Sequence, residues 1–352
     1  MASVSRIATT SAIGPPTGSN DGRAFALAPL RLLTGAPTGG GGDARESAQR
    51  RQRHGRVRGE EEWLEPCLLS LREFADEILV LDNGASSQAQ AALDRLRDSL
   101  GEILRLERCP DLDLFQLSNL GLAKARFRWV IRWDADFVAH TSGAGDIRSL
   151  RRSLLELDRR RYYLMYLPAV EVAGDLFHQF PDRRVRFDGQ VHVAAEGARY
   201  VPVRRSLPPS AVASPDRVLR PGPTLRVTLE SLRVPKFYQV LRWPQVTYFH
   251  VNVKSARRSL LGHFWLEWLG QGDFARFPTV EAYAQAEVRA RWDLTDLDAA
   301  ARHFMARYCA GLVAFDADRC GPYPDLLRPF LDRPRYRVEY RDGQVVGRRE
   351  GA

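Results

Sequence analysis

From Glu60 onward, apolar residues recur along the chain in two rhythms. In EEEWLEPCLLSLREFA, residues Trp63, Cys67, Leu71 and Phe74 fall at helical spacing behind acids, which a helix dipole favours in its first turn. ILVLDNGASS follows as a short β-rich run ending at Asp82 and a turn of small polar residues. SQAQAALDRLRDSL predicts a second amphipathic helix, ILRLE a strand, LSNLGLAKARF a third helix and WVIRW a further strand. Alternation at this spacing predicts parallel βαβ units, a sheet with helices on both faces. In the second half YYLMYLPAVEVAGD and VTYFHVNV predict strands, with a Pro- and Arg-rich connection over 202–224 between them. RRSLLGHFWLEWLG, VEAYAQAEVRARW and DLDAAARHFMARYCAGL predict helices, and YRVEYRDGQVVGR a hairpin turning at Asp342-Gly343.

Before Glu60 the pattern is lost. Residues 1 to about 55 are rich in Ala, Gly, Ser, Thr, Pro and Arg, and such a segment cannot bury enough apolar surface to offset its ordering entropy, so it predicts a disordered tail. The net charge of +9 is concentrated there: nine Arg against Asp21, Asp43 and Glu46 in residues 1–58 leave only about +3 for the rest. A basic total without a basic stripe argues against nucleic acid as a partner. The four cysteines form no CxxC pair or metal-finger spacing, which fits a reducing cytoplasm. No stretch approaches the roughly 18 to 20 apolar residues that span a bilayer. A soluble cytoplasmic protein is expected, with peripheral contact at the inner face of a membrane as a variant.

The stretch WVIRWDADFVAH raises the chemical question. Asp is depleted from strands and costly to bury unpaired, so Asp134 and Asp136 mark a strand end where carboxylates meet water, a cation or a ligand. Ligands of open α/β sheets bind beyond the carboxyl ends of strands, where Asp82 also falls. Two acids one residue apart suit a hard divalent cation, Mn2+ or Mg2+, that keeps positions open for phosphate oxygens. The plain alternative is a solvated pair capping a turn, and for Asp82 an Asx-turn.

The run VRGEEEWLEPCLLSLREFADEILVLDNGASS followed by NLGLAKARFRWVIRWDADF resembles, in order and spacing over about residues 56–140, the nucleotide-binding half of family-two glycosyltransferases. The resemblance implies an α/β fold of GT-A type: a nucleotide-binding sheet flanked by helices over 56–255, a helical C-terminal acceptor-side region over 256–352 ending in the hairpin, and the tail over 1–55. By it Asp82 would bond the nucleobase, Asp134 would lie near the ribose, and Asp136 would ligate the metal bridging the diphosphate. Departures are visible. Relatives carry an apolar first strand directly before the acidic helix start, whereas RQRHGRVRG stands here; the upstream run AFALAPLRLL could replace that strand only across a long loop.

In YFHVNVKSARR, His250 and Lys254 resemble a His-x-x-x-Lys-Ser segment that some GT-A enzymes place near metal and diphosphate; His250 would complete the metal site and Lys254 reach a phosphate. The plain alternative is a packed His and a solvated Lys. An inverting transferase also needs a general base on the acceptor hydroxyl. Asp175 is favoured narrowly over Glu171, with His178 and His192 as weaker candidates, and a turn cap as the plain reading. Gln239, Arg242 and Trp243 spell a QxxRW, assigned to acceptor-side packing, and Trp265 and Trp268 to core. The expected activity is transfer of a sugar from a nucleotide-diphosphate sugar to a glycan, lipid-linked or small-molecule acceptor hydroxyl, metal-dependent and inverting. The rivals are a degenerate nucleotide-sugar-binding protein of the same fold without turnover, and a nucleotidyltransferase.

Overall fold

A computed structural model describes residues 30–32, 62–110, 112–181, 185–207 and 225–350. The expected tail thus lies outside the described residues, except for Leu30–Leu32.

The first half alternates as its pattern predicts: α1 (Leu64–Leu69), β2 (Ile78–Asp82), α2 (Ser87–Leu100), β3 (Leu104–Arg108), α3 (Leu114–Ala123) and β4 (Trp129–Arg132), preceded by the short β1 (Leu30–Leu32). Local chemistry sets the boundaries. Ser86 caps α2 by accepting from Ala89 N, and Asp113 with Gln116 forms a capping box on α3, which therefore starts three residues before LSNLGLAKARF does.

β2 and β3 pair in parallel, as the alternation predicts, whereas the main sheet is mixed. Its order is β1-β4-β8-β6-β12-β5, where β5 is Phe137–Ala139, β6 Tyr163–Ala173, β8 Arg186–Val193 and β12 Tyr248–Asn252. β8 runs antiparallel to both β4 and β6, so β4 and β6 point the same way. β11 (Gln239–Arg242) and β12 share one edge of the long β6, both parallel to it. The pairing of β6 with β8 shifts register between Leu167 and Ala169, around Pro168, which has no N–H to donate.

Leu30–Leu32 runs antiparallel along β4 and approaches β2. The upstream apolar run therefore does contribute a strand, despite the long connection that made this improbable, although it is three residues long and reversed.

A short β7 (His178–Gln179) follows β6. Between β8 and β11, β9 (Arg199–Leu207) pairs antiparallel with β10 (Leu225–Arg233), in register from Arg199↔Arg233 to Leu207↔Leu225, so 202–207 of the expected irregular connection is strand and 208–224 of it lies outside the described residues. The hairpin spans from α3 to the helix after β12: Asn119 and Tyr200 exchange hydrogen bonds of 2.9 and 2.8 Å, and β10 packs on that helix.

After α4 (Ile147–Glu156), the C-terminal helices α5 (Ala256–Gln271), α6 (Val280–Trp292) and α7 (Leu297–Ala310) close a separate core around Phe264, Trp268, Tyr283 and Phe304. Trp268 is buried in it and donates to Phe277 O at 2.8 Å, and Trp265 packs against it. Trp243 is likewise core. β13 (Val313–Ala314), α8 (Ala317–Cys320) and α9 (Arg328–Asp332) lead to the hairpin β14 (Tyr336–Arg341) and β15 (Gln344–Glu350), turning at Asp342-Gly343 with φ of 51° and 77°. All four cysteines are buried and free. Among the described residues no helix is long and apolar enough to cross a membrane.

Candidate active site

β4 ends at Arg132, and a tight turn, with Phe137 N donating to Asp134 O at 3.0 Å, feeds directly into β5. β5 pairs antiparallel with β12, so Asp136 comes to rest beside His250; Val251 N donates to Asp136 O at 2.8 Å. Lys254 sits in the turn between β12 and α5, fixed because Ser255 caps α5 by accepting from Arg258 N. Two strand ends and a helix start thus bring Asp136, His250 and Lys254 together.

The cluster is buried and charge-balanced. Lys254 Nζ lies 2.7 Å and His250 Nε2 3.5 Å from Asp136 Oδ2, and His250 Nδ1 lies 3.8 Å from Glu171 Oε1. Glu171, at the end of β6, accepts from Asn252 Nδ2 at 3.2 Å. Burial alone would raise the Asp136 carboxyl, but the Lys254 ammonium and the His250 imidazole outweigh it and hold it well below the carboxylate range. Burial opposes the charged form of His250, yet Asp136 and Glu171 push its value up.

Asp134 has a different partner. Arg132 Nη2 lies 3.3 Å from Asp134 Oδ2, while its Nη1 bonds Glu230 on β10. Asp134 Oδ1 is buried with no hydrogen-bond partner among the described residues, an orphaned acceptor at the carboxyl end of the sheet. Asp82, at the end of β2, accepts from Gly84 N at 2.8 Å and Ala85 N at 2.6 Å through one oxygen, the Asx-turn of the plain reading.

The expected divalent ion fits these side chains poorly. Among the described residues no three His, Cys, Asp or Glu side chains are grouped to hold a metal. The one Asp136 oxygen nearest His250 already faces an ammonium, and a divalent ion there would sit beside that positive charge.

On the acceptor side Asp175 is not the free base expected of it. Buried just past β6, it accepts from Phe177 N at 2.8 Å, His178 Nδ1 at 2.6 Å and Val338 N at 2.7 Å, so both oxygens are engaged. His178 Nε2 in turn lies 2.5 Å from the hydroxyl of Tyr340, a side chain 52% exposed on the C-terminal hairpin. His192 is excluded from acid–base work by its place: fully buried on β8 between β4 and β6, with neither ring nitrogen bonded among the described residues and its value pushed down to about 4 by burial. The sequence reading missed Arg132, Glu230 and Tyr340. For Glu230 a signal existed: LRVTLESLR alternates as a strand does.

Residues 57–143, a stretch that includes α1 through β5, match the family model Glycosyl transferase family 2. One segment of the chain is thus similar to family-two glycosyltransferases. The family-two match contains Asp82, Asp134 and Asp136, and covers roughly a quarter of the chain. No curated protein matches the chain. Among solved structures, TarS 1-349 of S. aureus is similar at 10% identity and a TM-score of 0.34, over 82% of this chain and 94% of that one; its complex with UDP-GlcNAc gives the same figures. The complex of that protein with UDP matches at 10% identity and a TM-score of 0.32, over 72% of this chain and 70% of that one. The architecture in which these residues sit is mixed α/β, with the carboxylate cluster at one end of the main sheet.

Proposed function

We propose that this glycosyltransferase moves a sugar from a nucleotide-diphosphate sugar to an acceptor hydroxyl, with inversion at the anomeric carbon. One observation carries the reading: the family-two segment includes Asp134 and Asp136 near its end, and Asp136 shares a buried, charge-balanced cluster with two cationic side chains from the far half of the chain. Such a cluster at a sheet's carboxyl end is suited to a polyanion whose charge grows as it leaves.

In this reading Lys254 and His250 face the diphosphate, Asp134 Oδ1 accepts from the ribose, and Asp82 contributes to the nucleobase. Since the donor set does not suit a divalent ion, no step is routed through one. His178, oriented by Asp175, is the group able to take the acceptor proton: the acceptor hydroxyl displaces that of Tyr340 from Nε2, loses its proton there, and its oxygen bonds the anomeric carbon as the sugar–phosphate bond breaks. Glu171 stays with His250 and Asn252 as a positioning group. The acceptor is a glycan, a lipid-linked sugar or a small molecule.

The second reading, a nucleotide-sugar-binding protein without turnover, is favoured by the thin three-residue strand between β2 and β4, where donor binding would need a firm floor. Purified protein is screened against a panel of nucleotide sugars with and without Mn2+, following thermal stabilisation and release of nucleoside diphosphate in the presence of mixed acceptors. Stabilisation with release supports transfer. Stabilisation without release supports the binding protein, and no response to any nucleotide sugar removes both.

A further inference from the structure

At the end of the sheet opposite the carboxylates lies an open depression of about 330 Å³ lined by Arg160, Arg161, Tyr162, Phe237 and Gln239. Tyr162 precedes β6, and Gln239 begins β11 and donates its N–H to Tyr162 O at 2.8 Å. The rings are arranged as a platform. Tyr162 meets Phe237 edge-on at 4.8 Å, Phe237 stacks on Tyr238 at 5.5 Å, and Tyr238 is anchored beneath by donating to Val193 O at 2.6 Å. Phe237 is 58% exposed, more than any other large hydrophobic side chain described, so beyond its contacts with Tyr162 and Tyr238 much of its ring faces outward.

The polar lining is as specific as the rings. It holds two guanidinium groups and an amide, and no carboxylate. Arg161 pairs with Asp158 at 3.3 Å, and the same carboxylate accepts from Arg160 N at 2.9 Å, while the exposed Arg160 guanidinium takes part in no ion pair shown among the described residues. A guanidinium presents a planar fork of donors that matches a carboxylate in two bonds, and an exposed ring face suits the apolar face of a sugar ring.

We propose that this depression binds a carboxylate-bearing glycan chain, a second contact for the acceptor of the transferase proposed above, on which the acceptor role rests. β6 runs from Tyr163 beside this depression to Glu171, a span of roughly 26 Å at about 3.3 Å per residue. An acceptor touching both ends is therefore a chain of several sugars, and its anchored end lies far from the reacting hydroxyl. That geometry raises affinity for long acidic acceptors without entering the chemical step.

The test measures binding of the full chain to oligosaccharides of hyaluronan and of alginate, with neutral malto-oligosaccharide of equal length as control, for wild type, Phe237→Ala and the double variant Arg160→Ala/Arg161→Ala. Both acidic glycans bind the wild type, and each variant weakens them about tenfold or more, the size of a lost charge-assisted pair or stacking contact. Thermal melting is unchanged, since the altered side chains are exposed. No binding of either acidic glycan, equal binding of the neutral one, or affinity indifferent to both variants overturns the proposal. So does variant-sensitive binding to phosphatidylglycerol vesicles without glycan binding, which would make the patch a membrane contact. Release of nucleoside diphosphate with a short acceptor is followed in parallel and stays at the wild-type level in both variants. If release is never seen while glycan binding is, the site stands and the proposed transfer fails.

Discussion

Lys254 Nζ lies 2.7 Å from Asp136 Oδ2, and both side chains are buried. A pair of this kind contributes little beyond a well-packed apolar pair, but removing one partner strands the other's charge. Lys254→Met is therefore expected to destabilise the protein by about 3 kcal/mol, and Asp136→Asn/Lys254→Met to recover most of that loss. Neither variant should turn over a nucleotide sugar. Urea unfolding of Lys254→Met, of Asp136→Asn and of the double checks the first statement and nucleoside diphosphate release the second. Additive destabilisation would mean that the two groups do not share a charge balance.

Arg132 divides its guanidinium between Asp134 and Glu230, and Glu230 belongs to the hairpin that straddles α3 and α5. Glu230→Gln removes the charge on one side, so the guanidinium turns to Asp134 and occupies the carboxylate proposed to face the ribose. The expected result is a KM for the nucleotide sugar raised about tenfold with kcat changed much less, as suits the loss of one charge-assisted hydrogen bond. Steady-state kinetics against donor concentration decide it. An equal fall in kcat with KM unchanged would place Glu230 in the chemical step instead.

These partnerships explain how far the sequence could be read. β2, α2, β3 and β4 are local: Ser86, the alternation of ILVLD and the helical spacing of Leu93, Leu96 and Leu100 state them without help from the rest of the chain. Asp134 and Asp136 were legible for the same reason, because two acids closing WVIRW contradict their own strand. What remained hidden depends on partners far away in sequence. Pairing of β8 with β4 is a contact between Val193 and Trp129, and nothing in either segment states that the strands oppose each other. The engagement of Asp175 by Val338 joins residues 163 positions apart, so a carboxylate read as a free base is in fact filled by a hairpin from the chain's end. The β9–β10 hairpin was obscured by the Pro- and Arg-rich segment between its strands, although RYVPV and LRVTLESLR each alternate.

Gly174 joins β6 to Asp175 with φ of +77°, and a Cβ there would stand 2.6 Å from Leu312 Cδ1 and 3.3 Å from Cys309 Sγ. Its carbonyl accepts from Arg348 of the C-terminal hairpin at 2.9 Å. Gly174→Ala combines left-handed strain with overpacking against α7 and should cost about 2 to 3 kcal/mol. Because the hairpin supplies both Val338 N and Tyr340, the same variant should loosen the His178 contact. Hydrogen exchange localised to 336–350 rises if this is correct, and a variant as stable as wild type with unchanged exchange contradicts it.

His192 offers a test by pH. Burial holds its value at about 4 in the folded chain, against about 6.5 when unfolded. Between those values the unfolded state binds the extra proton, so stability is lost as pH falls from about 6.5 to about 4, to an extent of about 3 kcal/mol. His140, pushed down to about 4 by burial against the pull of Asp325 and Asp146, adds a limb of the same sign. His250 has the opposite sign: burial alone would lower it, but Asp136 and Glu171 raise it, so its contribution is present below about 6.5 and fades as pH rises past its folded value. His192→Leu places an apolar group of similar reach between Val130 and Leu164 and removes one of the two acid-side limbs. Urea unfolding at a series of pH values from 7 down to 4 should show the variant losing about 3 kcal/mol less than wild type, with the slope above pH 7 unaltered. A variant that follows the wild-type curve throughout would mean that His192 is charged in the folded protein, and hence that it has found a partner or water in the sheet's interior.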